Sequence, residues 1–456
     1  MSKTIQLEFG SATLALGVPA RTEQLRLPEG RPLLNPTAAI QDALARPIGA
    51  PPLVELARAK VRAKPDAQAV IVISDNTRPV PYLGSQGILE PLIRVLRCQQ
   101  VRRIALLVAT GTHRPLAREE LQRLLPSGVF DGSIELVNHC CTDTAGLRLV
   151  GRTPRGTQAW VNARYLDADL KILTGLVEPH FMAGLSGGPK TICPGLVGEA
   201  ATYIFHGASL MANERSDSLV LEGNPCHEEA LAVARLSGAD FILNVTLDRQ
   251  KRLSGVFAGD MEQAFTAAAR QVLATHAIHI EQPYDLVVTH AGFAGINHYQ
   301  AAKAAVEGSK AVRAGGRLVL AAHHTDRDPV GGANYQRVLP LLVADGLDGF
   351  QRRLFAPDWA FVPEQWEVQM WARAFRRLGG LDRLTYCAPE LTGAVFRQRQ
   401  LPGLDGGAGI TGLNGRALAE RMVQLAVDRH LAAHPDATVA VLLDGPYGVP
   451  TVARPN

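Results

Sequence analysis

A chain of 456 residues, 46% apolar and 20% charged, is long enough for two or three soluble domains with cores of their own. A net charge of +4 from scattered arginines excludes the concentrated basic face that nucleic acid requires, and no apolar run reaches membrane-spanning length. Six cysteines with no C-x-x-C spacing point to reduced thiols in a cytoplasm, and the alternating N-terminus reads as strand rather than signal peptide.

Taken in chain order, Ile5, Leu7 and Phe9 alternate, and more strand pattern follows a Gly10-Ser11 turn. Short continuous apolar runs at Ala69–Ser74, Ile104–Ala109 and Leu170–Val177 read as buried strands. Helical stretches at 89–97, 117–125 and 228–236 intervene or follow, and Ala200–Met211 reads as a further helix. The pattern pauses at Glu281-Gln-Pro283. Beyond it come a strand at 285–289, a helix at 300–312 and a strand at 317–322, then helices near 334–345 and 364–377 and a strand at 384–387. A tail of helix (418–429) and strand (437–443) could close either domain. The expectation is an α/β protein with two α/β domains and its active site in the cleft between them. The first, 1–275 and possibly completed by 434–456, carries a doubly wound, mostly parallel sheet; the second, 276–433, is smaller and Rossmann-like.

Three strands of the first domain end in polar clusters. They are Asp75-Asn-Thr-Arg78-Pro, Gly111-Thr-His113-Arg-Pro and Glu178-Pro-His180. Any one of them is adequately explained as a cap or loop group, but three parallel neighbours with the same habit converge on one crevice at the carboxyl edge of a sheet. Two histidines there suit proton transfer on opposite faces of a carbon, and an arginine suits a carboxylate. The site therefore wants a small carboxylic acid with an exchangeable hydrogen.

Gly184-Leu-Ser-Gly-Gly-Pro-Lys190-Thr nearly matches the P-loop, with Pro189 in place of the glycine before the lysine. Proline lacks an N–H and stiffens the turn, which removes one donor from a P-loop cradle, but the reading that the glycine-rich turn still holds one phosphate stays open. A nucleophilic Schiff-base lysine is another reading. His206, flanked by Ile204 and Phe205, reads by itself as a core histidine, and no paired ligand spacing accompanies it. His139-Cys140-Cys141 reads as structural and His323-His324 as a loop.

Together these motifs resemble the nickel-pincer-nucleotide-dependent lactate racemase family. The resemblance rests on the three strand-end motifs, the Ser-Gly-Gly-Pro-Lys190 loop and Phe205-His206. It continues through Gly223-Asn-Pro-x-His227, Phe257-Ala-Gly-Asp260 and Tyr299-Gln-x-x-Lys303. It implies an isomerase, a racemase or epimerase of a small 2-hydroxy acid such as lactate. The reaction would be reversible hydride transfer to a nickel-pincer nucleotide (a pyridinium-3-thioamide-5-thiocarboxylate mononucleotide with nickel) tethered through Lys190. His206 would ligate nickel, and His113 and His180 would be the acid/base pair. Asp75, Ser186, Gly187 and Gly188 would hold the cofactor's nucleotide end. Arg78, Tyr299, Gln300, Lys303 and Trp366 would bind substrate, the last four from the second domain. Separate enzymes would have to make the cofactor. Pro189 departs from the family's usual basic residue, and Arg114 or the 323–326 cluster could serve a larger substrate's tail. Two other readings stay open: an ATP-dependent enzyme using the 184–191 loop, and a non-catalytic small-acid binding protein.

Overall fold

The computed structural model describes residues 2–452. The chain forms two compact units. One takes Glu29–His206 and Asn213–Thr275; the other gathers the N-terminal segment through Pro28, the short piece Gly207–Ala212 and the chain from His276 onward.

In the first unit the strand Gln68–Ser74 is central. It pairs in parallel with Arg103–Ala109 on one side and Leu170–Leu176 on the other. Ile134–Asn138 continues the sheet beyond the former and Phe241–Leu247 beyond the latter, both parallel, and Leu253–Gly259 closes one edge antiparallel. Ile71, Val72, Leu106, Leu107, Ile172 and Leu173 are all fully buried, which is why these strands are written as unbroken apolar runs. The flanking helix Leu89–Cys98 turns Leu89, Leu92, Ile93 and Leu96 inward, the i, i+3, i+4, i+7 stripe of a helix covering a sheet. The chain works outward from the central strand through 103–109 and 134–138, then returns to its other side at 170–176. That reversal makes a topological switch point at the carboxyl ends of the 68–74 and 170–176 strands.

The second unit has a six-stranded, wholly parallel sheet. Its order is Leu404–Asp405, Leu384–Cys387, Val312–Ala321, Tyr284–His290, Val439–Leu442 and Glu23–Leu25. The antiparallel hairpin of Ser2–Phe9 and Ala12–Pro19 lays Ile5, Leu7, Phe9, Leu14, Leu16 and Val18 into the core of this unit, against Leu286, Val288, Met422 and Val423.

Here the fold departs from the boundaries read in the sequence. The first 28 residues, expected in the domain 1–275, belong with the C-terminal unit, and the Val439–Leu442 strand of the tail joins that same sheet rather than completing the other. Residues 453–456 of that tail lie outside the described residues. Alternation shows that a segment is a half-buried strand; it does not say which sheet supplies the partner. The helix expected over 200–211 is two pieces, Glu199–Phe205 and Ala208–Met211, because His206 caps the first and Gly207 begins the second.

Candidate active site

The three polar strand ends meet. The strand Gln68–Ser74 delivers Asp75, which is 4% exposed, and the neighbouring strand delivers His113 through the Thr110–Gly111 turn. His113 Nδ1 lies 2.6 Å from Asp75 Oδ2. Asp75 Oδ1 accepts from the Thr77 hydroxyl at 2.6 Å and from the Thr77 amide at 3.0 Å, so both carboxylate oxygens are engaged. Burial pushes this carboxyl upward, but the hydrogen bond and charge of His113, with the two Thr77 donors, outweigh it and hold it below the ordinary carboxylate range. Asp75 is therefore an ionised acceptor and His113 Nδ1 its donor, an arrangement that turns Nε2 away from the carboxylate.

On the other side of the switch point, Arg78 Nε lies 3.3 Å from Glu178 Oε1, tying the end of one strand to the end of the next. Glu178 was part of a recognised motif without an assigned role. His180 sits in a small hairpin, Pro179–His180 against Gly184–Leu185, and is 8% exposed. Its Nδ1 accepts from the backbone amides of Met182 (3.4 Å) and Ala183 (3.3 Å). A neutral ring whose Nδ1 accepts must carry its proton on Nε2. Two histidines in similar motifs thus meet different partners at Nδ1, a carboxylate for His113 and two backbone amides for His180.

The glycine-rich turn does not behave as a phosphate cradle. The Ser186 amide donates to Glu178 O (3.0 Å), the Ser186 hydroxyl to Leu176 O (2.7 Å), and the Gly188 amide to Asn244 Oδ1 (2.8 Å). The donors that the P-loop reading needs, and that Ser186 and Gly188 were expected to offer a cofactor's nucleotide end, are committed inside the protein. Gly188 has φ +51°, and a Cβ there would lie 2.4 Å from the Phe265 ring, so the turn is closed by packing as well. Pro189 is the second residue of the short 3₁₀ turn Gly188–Thr191, a first-turn position where a fixed φ and a missing N–H cost little. Lys190 is the residue this turn presents. The α-helix that would follow a P-loop lysine is absent from the stretch after it, where the next α-helix begins at Glu199.

His206 closes the helix Glu199–Phe205 and is 8% exposed. Burial, with the charges of Lys190 and His113 nearby, drives its imidazole well below the ordinary histidine range. That interaction places His206, Lys190 and His113 in one neighbourhood, and it keeps His206 neutral with a lone pair to give. Among the described residues no three His, Cys, Asp or Glu side chains group to hold an ion. A metal at His206 would have to take its other donors from outside such a side-chain group.

In the other unit Asn297 caps the helix His298–Ser309 by accepting from the Gln300 amide at 2.8 Å. Its first turns present Tyr299, Gln300 and Lys303, with Lys303 Nζ donating to Gln300 Oε1 at 2.7 Å. Trp366, on the helix Gln365–Leu378, donates its indole N–H to the Tyr299 hydroxyl at 2.8 Å. Tyr335 stands edge-on to Tyr299, and its hydroxyl meets His298 Nδ1 at 2.6 Å. Arg114 grips Glu120 through two 2.7 Å contacts; in the 323–326 cluster His324 is buried between Gly295 O and the Tyr386 hydroxyl, and Asp326 accepts from Asn297 at 2.5 Å.

Other motif residues build the scaffold. Asn224 caps the helix Pro225–Ser237 and ties down Met182 O; Asp260 caps the helix Met261–His276. Asn244, the polar residue inside the apolar strand Phe241–Leu247, went unremarked in the sequence; a buried amide in such a run signals a backbone group that needs a partner.

Residues 9–218 match the family model of the lactate racemase N-terminal domain. The chain is 32% identical over 342 residues to lactate racemase of Lactiplantibacillus plantarum, covering 75% of this chain and 78% of that protein. It is 30% identical over 375 residues to lactate racemase of Thermoanaerobacterium thermosaccharolyticum, covering 81% and 85%. The solved lactate racemase apoprotein of the latter organism superposes with a TM-score of 0.80 over 98% of this chain and 100% of that one, at 25% identity. A Thermotoga maritima protein shares the fold at a TM-score of 0.63 and 16% identity.

Proposed function

The chain belongs to the lactate racemase family, and from that premise we propose that it interconverts the enantiomers of a small 2-hydroxy acid, lactate or a relative, with a nickel-pincer nucleotide attached to Lys190. The observation that carries the reading is the Asp75–His113 pair in the same neighbourhood as a buried neutral His206 and Lys190. Lys190 would hold the cofactor covalently and His206 would ligate its nickel; when bound, the group supplies the hydride acceptor that racemisation at a carbinol carbon needs.

The chain's own residues do the rest. Nε2 of His113 takes the hydroxyl proton of one enantiomer as the 2-oxo acid forms, and Asp75 balances the imidazolium charge. His180 is the second acid/base: as imidazolium it returns a proton to the oxo oxygen when the opposite enantiomer forms, and in the reverse direction its neutral ring takes that proton. Arg78, steadied by Glu178, binds the carboxylate. Tyr299, Gln300, Lys303 and Trp366 form the substrate-binding set of the other unit. Asp75 positions His113 through Oδ2, a role additional to the hold on the nucleotide expected of it. The 186–188 turn likewise serves to present Lys190.

The test is co-expression with a complete pathway for the cofactor, beside a known racemase as control. Intact mass should show an adduct mapping to Lys190 and absent from Lys190→Ala, with about one nickel per chain. Chiral chromatography should show either enantiomer of the substrate converging on a racemate. An unmodified, nickel-free chain in a host that loads the control would sink the proposal.

A further inference from the structure

The helices His298–Ser309 and Gln365–Leu378 enclose a carboxyl group that the reaction as read above does not use. Glu367 is 3% exposed, directly follows Trp366, and its Oε2 has no hydrogen-bond partner among the described residues. The charged and titratable groups that face it are Lys303 from the first helix, Glu364 at the start of its own, and the hydroxyls of Tyr299 and Tyr335. An apolar side chain would fill this space at lower cost, since a buried carboxyl with an unpaired oxygen is expensive. What distinguishes the place is its company: the carboxyl lies beside Lys303, which bonds Gln300, and beside Tyr299, which accepts from Trp366.

We propose that Glu367 is a positioning residue for Lys303, holding the ammonium and its Gln300 partner in place for the carboxylate of the 2-hydroxy acid. The inference rests on the racemase reading. Burial pushes the Glu367 carboxyl up to about 8, with the charge of Lys303 opposing and that of Glu364 adding to the shift. Near neutrality the group is a neutral acid, which can steady Lys303 without cancelling its charge. Once ionised it competes with the substrate's carboxylate for the same ammonium.

The experiment compares the cofactor-loaded wild type with Glu367→Gln and Glu367→Ala, using lactate as the probe from about pH 6 to about pH 9.5. Glu367→Ala should raise KM about tenfold with a much smaller change in kcat. Glu367→Gln, which mimics the neutral acid, should keep the wild-type KM at neutral pH and lose the rise in KM that the wild type shows above about pH 8. Infrared spectroscopy supplies a readout independent of turnover: a protonated-carboxyl band that titrates in the wild type and is missing from Glu367→Gln. If Glu367→Ala does not fold, Glu367→Gln decides by its pH profile. Variants with the wild type's KM at every pH would overturn the inference while leaving the racemase reading intact. A wild type that carries the Lys190 adduct and racemises no small 2-hydroxy acid overturns both.

Discussion

His113 and His180 follow similar strands and precede similar turns, yet their Nδ1 atoms meet different chemistry: a carboxylate in one case, two backbone amides in the other. Replacing either with alanine should lower racemisation by about 10²–10⁴-fold, the usual worth of a positioned acid or base, with the Lys190 adduct unchanged in mass. Asp75→Asn keeps the shape and removes the charge that balances imidazolium, so kcat should fall while KM moves little. Stopped-flow or chiral assays on loaded protein check both. Glu367 makes a second prediction at this scale, through stability rather than rate. Its folded pKa, about 8, is above the ordinary 4.5. The stabilisation is therefore complete below the unfolded value and is lost as pH rises from there to about 8. Thermal melts should show Glu367→Gln gaining on the wild type across that window; parallel curves would mean the carboxyl is already ionised in the folded state.

Between the residue and the domain lies the turn that presents Lys190. Its shape depends on Asn244, a strand residue 54 positions downstream of Lys190 that receives the Gly188 amide. Asn244→Ala leaves that buried N–H without an acceptor and should cost about 1–3 kcal/mol, read by denaturant unfolding. Loading of Lys190 should fall with it, because the turn is closed by that bond. Much at this scale was legible in the sequence. Strands at 69–74, 104–109 and 170–177 appear where continuous apolar runs put them, and the polar residues after them touch in pairs, Asp75 with His113 and Arg78 with Glu178, because parallel strands emerge side by side. What was not legible depends on partners remote along the chain. The Gly-Gly-Pro-Lys spelling suggested open donors, and only the fold shows Leu176, Glu178 and Asn244 taking the hydrogens. The break at His206 was hidden because Gly207 is a tolerable interruption in an otherwise helical pattern.

At the scale of the molecule, a unit made from three stretches of chain cannot be cut by sequence order. A fragment ending at 275 would carry the hairpin Ser2–Pro19 and the strand Glu23–Leu25 without the sheet they complete. A fragment beginning at 276 should expose the face of Leu286, Val288 and Val441 that the hairpin and its neighbours cover. We expect the 276–452 fragment to aggregate, and fusion of residues 2–28 to it through a flexible linker to recover soluble, cooperatively melting protein; size-exclusion chromatography and calorimetry distinguish the outcomes. The same arrangement governs biosynthesis. Residues that leave the ribosome first dock on a strand, Val439–Leu442, that leaves it nearly last, while the unit made from Glu29–Thr275 is already complete. At about 5–20 residues per second, the amino-terminal hairpin waits some tens of seconds with an apolar face uncovered, a natural target for a chaperone on the nascent chain.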